Sequence, residues 1–385
     1  MNKLTDFFQK TDVVLWLLTF SAVIYSLLLI SSMQRSGDYN YLRPQLTAVV
    51  VGMAAAVLIS FADYRFLIRR WYFALLIGIA LIILVFIFGM RVDGTDDMAW
   101  IALPGGVSFQ PSEFIKICFI ITFSKHLCYL TEKKLLEHPL GAATLVLHAL
   151  IPIVMIHMQG DDGTMLIFAM IFLIMSYVAG VQLRYFIVLG AVVLVGIPII
   201  WNFVMNEEHR NRFRALFDLD GNAMTTYGWQ QYQGKVSIAG GELTGSGLYH
   251  GSRVEHAIVP EQENDFILTV AGEETGFLGC LLVIALLFGI MIKMIINAAN
   301  ATEADGKLLC AGVFASFASQ SIINIGMELG FFPVIGITLP LFSAGGTSVT
   351  ATLIGVGIVQ SVRGHTLDDM ETAKIRRGSQ SRTRL

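Results

Sequence analysis

Between Val259 and Gly276 the sequence VPEQENDFILTVAGEETG runs a proline and four polar or acidic residues into Asp265, and Phe266 then opens a long apolar segment. A carboxylate therefore stands at the edge of an apolar span. Its plain role is to cap a helix, since Asp and Asn both accept hydrogen bonds from the free N–H groups of a first turn. The other is a chemical role at a surface, and spacing alone leaves both open.

Further ionisable groups lie inside or against apolar runs. In PSEFIK, Glu113 and Lys116 are three residues apart and share one helix face, where they can pair or serve a polar function. Ser316, Gln320, Asn324 and Glu328 recur every four residues and draw a polar stripe down one side of a helix. Such a stripe must face protein or a watered cavity. Asp161 and Asp162 open another span as QGDDGT, where capping and the helix dipole are the simple explanation. Glu273 and Glu274 lie one to three turns beyond Asp265.

These groups need a scaffold of membrane spans. Of 385 residues, 55% are hydrophobic and only 14% charged, with mean hydropathy +0.67; an ordinary soluble domain carries roughly a quarter charged residues. The net charge of −3 gives no footprint for nucleic acid. Cys118, Cys128, Cys280 and Cys310 fall in or beside apolar segments, which argues against disulfides and a CxxC metal site. The first apolar run, 13–31, is long enough to span and lacks a small-residue cleavage site, so no removable signal peptide is expected.

Apolar runs near 13–31, 45–61, 71–90, 113–130, 140–158, 164–181, 183–204, 266–296, 308–330 and 334–362 predict an all-α polytopic protein of ten transmembrane helices. Lys and Arg collect in alternate connections, at Arg65, Arg69 and Arg70, at Lys125, Lys133 and Lys134, at Arg184, at Lys307, and beyond Arg363. The positive-inside rule makes these cytoplasmic, with both termini inside. Residues 1–12 are then a cytoplasmic N-terminus and 13–363 the membrane domain. The small, polar, basic stretch 364–385 is expected to be a disordered tail attracted to anionic lipid.

The long connection, 205–265, falls outside, between the seventh and eighth spans. Arg210, Arg212 and Arg214, Tyr227 and Trp229, and GGELTGSGLYHG (240–251) predict a folded, functional loop with tight turns. As one helix, 265–296 would rise nearly ~50 Å at ~1.5 Å per residue, more than a ~30 Å hydrocarbon core requires. It must project or tilt. Pro340 and SAGGTS (343–348) interrupt the last span with small residues.

Five segments in order, WIALPGGVSFQPSEFIK (100–116), QGDDGT (159–164), GWQQYQGKVSIAGGELTGSG, VPEQENDFILTVAGEETG and PVIGITLPLFSAGGTS (333–348), resemble the SEDS family of RodA- and FtsW-type cell-wall polymerases over residues 10–363. The chain departs from that family's usual PDLG at Gly160 and Asp162, from an Arg before the Trp at Ala99, and from His-Thr at Glu263-Asn264. The resemblance implies a peptidoglycan glycosyltransferase in the bacterial cytoplasmic membrane, acting on lipid II, with a class B penicillin-binding protein as partner. It implies Asp265 as the base that takes the acceptor hydroxyl's proton. Because diphosphate is a good leaving group, one carboxylate suffices, and direct displacement from an α-linked donor inverts the anomeric centre. Candidate substrate contacts are Glu113, Lys116, Arg210, Arg212, Gln230, Lys235, Glu261, Ser343, Gly345 and Gly346. Gln159, Asp161, Glu274, Asn324, Pro333 and Pro340 are expected supports. No protein metal site is expected, although a divalent cation, Mg or Mn, can accompany the diphosphate. A lipid II flippase and a non-catalytic scaffold are the alternative readings.

Overall fold

The apolar runs fold as helices because a backbone in hydrocarbon must satisfy its own N–H and C=O groups. The computed structural model describes residues 9–34, 41–90, 98–103, 107–205, 207–217 and 228–382; Tyr227 of the long connection lies outside these. The order is α1 (Val13–Met33), α2 (Leu42–Phe61), α3 (Tyr64–Arg69), α4 (Trp71–Phe88), a two-stranded antiparallel hairpin β1 (Ile101–Leu103) and β2 (Val107–Phe109), and α5 (Pro111–Glu132). Then come α6 (Pro139–His157), α7 (Asp162–Ala179), α8 (Leu183–Ile199), α9 (Glu207–Ala215), α10 (Trp229–Gly240), α11 (Ser252–Glu255), α12 (Ile267–Asn300), α13 (Ala304–Glu328) and α14 (Gly346–Arg382).

Among the described residues nine helices are long and apolar enough to cross a membrane: α1, α2, α4, α5, α6, α7, α8 with its continuation to Phe203, α12 and α13. α5 and α13 are the innermost of these, and α8 has no buried residue. α14 has its most extensive contacts with α2. Gly52 of α2 faces Leu353 and Thr350, and Gly357 of α14 faces the Ala56 backbone, with no room for a Cβ at either. Small residues let the two backbones close up, the usual route to tight helix pairs in lipid.

The end of the bundle away from Asp265 is tied by ions. Asp12 caps α1 at Leu15 N–H (3.1 Å) and pairs with Lys293 Nζ (2.8 Å), while Arg65 bridges Glu303 and Asp369. These contacts join the N-terminus and the α12–α13 and α14 ends into one unit.

Three expectations change. The last span is not helical from 334: residues 331–345 form an irregular segment, exposed at Phe331, Phe332 and Gly336 and largely buried from Ile337 to Ser343, and α14 starts at Gly346. α14 also runs on to Arg382, where composition suggested a tail without regular structure; no proline interrupts it after Pro340. The 265–296 stretch is not one continuous rod. It breaks at Gly276 (φ 68°, ψ −163°), a conformation open to glycine. A Cβ at Gly276 would overlap the backbones of Leu243 and Gly245. Gly276→Ala is therefore expected to cost ~1–3 kcal/mol for backbone strain, read as a lowered melting temperature in detergent, whereas Gly190→Ala, with open space around it, should change little.

Candidate functional site

Asp265 lies in the turn just before α12 and does not cap it: the N-cap is Phe266, with no side-chain cap bond. The capping work is done from another helix. Glu328, fully buried at the end of α13, accepts from Leu268 N–H (3.2 Å) and Thr269 N–H (3.0 Å) with its two carboxylate oxygens. One turn earlier, Asn324 donates from a single amide nitrogen to the carbonyls of Asp265 (2.8 Å) and Ile337 (2.7 Å). The polar stripe on α13 thus holds the backbone on both sides of Asp265.

With its backbone fixed, the Asp265 carboxylate accepts no hydrogen bond from any described side chain or N–H. It faces Gly336, whose left-handed turn (φ 66°) leaves the space a side chain would fill; an added Cβ would sit 3.6 Å from Oδ2. Burial first, then the charges of Glu261, Glu263 and Asp161, push its pKa up to about 7. No charge named here lowers it; all of them act in the same direction as burial.

Asp161 is brought close to Asp265 but its oxygens are taken. Oδ1 caps α7 at Thr164 N–H (2.8 Å), and Oδ2 accepts from Gln110 (3.0 Å) and Ser112 (3.2 Å). Asp162 pairs instead with His157 at 2.6 Å. Gln159 is buried; its carbonyl accepts from Met98 N–H (2.8 Å), and its amide group has no partner among the described residues.

The glycine-rich run 240–251 is docked on the first turns of α12. Gly241 abuts the Gly272 carbonyl, Gly245 the Glu274 carbonyl and Gly251 the Glu274 side chain, each too closely for a Cβ. Ser246 and Gly247 N–H groups donate to the Glu273 and Glu274 carbonyls, both at 2.9 Å. The Glu273 carboxylate accepts from Arg253 N–H (2.7 Å), and that of Glu274 from the Ser32 hydroxyl. The two glutamates fasten the long connection before α12 to that span, a role visible only once the loop is folded back.

Glu113 and Lys116 form a buried ion pair at 2.8 Å and line a small internal cavity with Ser316, Gln320 and Thr352. This is the pairing that the spacing allowed. Elsewhere, Arg210 meets Glu207 (3.4 Å), Arg212 donates to the Val334 carbonyl (3.2 Å), and Gln230 reaches the Pro260 carbonyl (3.5 Å). Lys235 is exposed beside Gly330, and Glu261 holds Asn264 at 2.8 Å. Ser343 turns inward: its hydroxyl accepts from Leu339 N–H (2.7 Å) and its carbonyl from Gln45 (3.0 Å). Pro333 and Pro340 are buried in the irregular segment that Gly345 and Gly346 close. Sequence reasoning missed Gly336, Gln231 and Arg253; a glycine in PVIGIT was the one available hint.

The fold and site define a polytopic α-helical membrane protein with a polar interior and an unpaired carboxylate at one end of its bundle. The chain belongs to the FtsW, RodA and SpoVE family of cell cycle proteins, which it matches over residues 9–367. It is 30% identical over 363 residues to the probable peptidoglycan glycosyltransferase FtsW of Trichlorobacter lovleyi, covering 91% of this chain and 92% of that one. It is 29% identical to the peptidoglycan glycosyltransferase MrdB of Escherichia coli K12, covering 94% and 96%. Among solved structures it resembles a chain from work on structural coordination of polymerization and crosslinking by a peptidoglycan synthase complex (TM-score 0.77, 25% identity, 92% and 98% covered). It shares its fold with Thermus thermophilus RodA (TM-score 0.63, 23% identity, 92% and 96% covered).

Proposed function

We propose that this protein is a peptidoglycan glycosyltransferase that polymerises lipid II at the outer face of the bacterial cytoplasmic membrane, with Asp265 as general base. The observation that carries this reading is a carboxylate with no hydrogen-bond donor among the described residues, its pKa raised to about 7, in a chain similar to named peptidoglycan glycosyltransferases along nearly its whole length. A base poised near neutrality suits proton transfer from an attacking hydroxyl. The acceptor sugar's oxygen attacks the anomeric carbon of the donor, its proton passes to Asp265, and the diphosphate leaves with the bonding pair. Attack from the face opposite the leaving group inverts the centre.

The departing diphosphate needs positive charge. Lys116 is buried in the bundle interior against Glu113, which favours the exterior-side cations for that task, exposed Lys235 first and then Arg210 and Arg212 beside Glu207 and Val334. Among the described residues no three His, Cys, Asp or Glu side chains converge as metal ligands, and no step here passes through Mg or Mn. The alternation of basic connections supports cytoplasmic termini and an outward-facing Asp265. A class B penicillin-binding protein is the partner proposed, by analogy with the synthase complex that the fold resembles.

The test is conversion of lipid II to glycan strands by purified protein, alone and with its transpeptidase. Movement of lipid II across vesicles without polymer would favour the flippase. The pH profile gives a second check. Below pH ~7 Asp265 carries its proton and cannot accept another, so single-turnover rate should fall about tenfold per unit on that limb and level off above it. The same shift means the native state holds a proton that the unfolded chain has lost between pH 3.8 and about 7, so its contribution to stability declines as pH rises through that window. A rate flat from pH 5 to 8 would remove Asp265 from the proton transfer.

A further inference from the structure

Helix α10 is built inside out. Its buried positions are Gln231, Gln233, Gly234 and Ser237, and its exposed ones include Trp229, Tyr232, Lys235 and Val236. The polar face turns inward because it has partners there. Gln231 donates to the carbonyls of Met327 (2.8 Å) and Phe332 (2.7 Å), and Arg253 donates to the Ser237 hydroxyl (2.8 Å) and to Gln233. Gly234 lies against Phe266 and Thr269 with no room for a Cβ. What remains outside is aromatic and apolar, with Trp229 41%, Tyr232 37% and Val236 36% exposed.

That face is not isolated. On one side, the Leu243 carbonyl accepts from Leu278 N–H, and exposed Leu243 adjoins Phe277 and Leu278 on the outward face of a spanning helix. On the other, Lys235 lies beside Gly330, between exposed Leu329 and Phe331 at the end of α13. An apolar band therefore runs from the lipid-facing side of α12 across α10 to the end of α13. We infer that α10 lies flat in the membrane interface on the Asp265 side, its Trp229, Tyr232 and Val236 face against lipid and Lys235 extended to the phosphates. Lipid is the occupant because the band continues the outward surfaces of two spans, and because Trp, Tyr and Lys are the side chains that settle where hydrocarbon meets headgroups.

Since Gly234 packs on Phe266, next to Asp265, the depth of α10 sets the depth of that carboxylate at the headgroup layer. This consequence for catalysis rests on the proposed function; the placement of the helix does not.

Spin labelling tests it. Nitroxides at Tyr232→Cys and Val236→Cys, in phosphatidylethanolamine–phosphatidylglycerol vesicles, are compared with Leu281→Cys as a lipid reference and Glu255→Cys as an aqueous one; all four sites are exposed. Unsubstituted protein reports any labelling of the native cysteines. At 232 and 236, collision with oxygen should exceed collision with a polar nickel chelate several-fold, as at 281, and the order should reverse at 255. A label at 236 as open to the chelate as that at 255 would overturn the inference. So would one immobilised and shielded from both reagents, which would mean that protein covers the face.

Discussion

Asp265→Asn is expected to lower lipid II polymerisation by ~10²–10⁴-fold, the usual cost of removing a general base, while the protein folds and inserts normally. The folding half follows from contacts. The carboxylate accepts no hydrogen bond from the described residues, the residue is tied through its carbonyl to Asn324 (2.8 Å), and the helix start is capped by Glu328. An amide of the same shape disturbs none of these. It also relieves a burial cost and the repulsion from Glu261, Glu263 and Asp161, so the melting temperature should hold or rise. Asp161→Asn is a useful contrast. It keeps one oxygen for Thr164 N–H but weakens the acceptor shared by Gln110 and Ser112, so stability should fall while polymer per folded molecule falls far less. Polymer yield normalised to folded protein is the measurement. Near-native polymerisation by Asp265→Asn would falsify the base assignment and shift the search to Glu261, Glu263 and Glu328.

The second large effect is expected at Glu113 and Lys116. Both are about 3% exposed and bond at 2.8 Å in the bundle interior. Removing one member leaves the other buried and uncompensated, which costs ~3–5 kcal/mol in comparable pairs. Glu113→Gln or Lys116→Met should therefore lower the melting temperature in detergent sharply. The double variant should recover much of that loss, since two neutral groups replace two charges. Were the double variant no more stable than the worse single one, the pair would not act as a structural unit and a direct role in substrate binding would gain. Because the cavity beside the pair also holds Gln320 and Ser316, activity of the double variant per folded molecule separates the two roles.

The sequence by itself determined nine of the spans and the Glu113–Lys116 pair, and it singled out the aspartate by its place. Long apolar runs in a chain with 14% charged residues have few solutions other than helices in lipid, and a Glu and a Lys three apart on a buried helix can meet without help from the rest of the fold. The four-residue period from Ser316 to Glu328 likewise fixed a polar face, because helix geometry is local. Asp265 stood out for its place at the start of an apolar run, yet its freedom from the capping role was not readable there. That freedom depends on Glu328, which is 63 residues away in sequence and takes the cap through tertiary contact. The break at Gly276, the docking of the 240–251 glycines against Gly272 and Glu274, and the inversion of α10 were decided the same way. Each depends on which backbone groups a distant segment offers, and local pattern carries no information about that. An apolar-outside helix reads like any amphipathic helix until its polar face is seen to have partners within the protein.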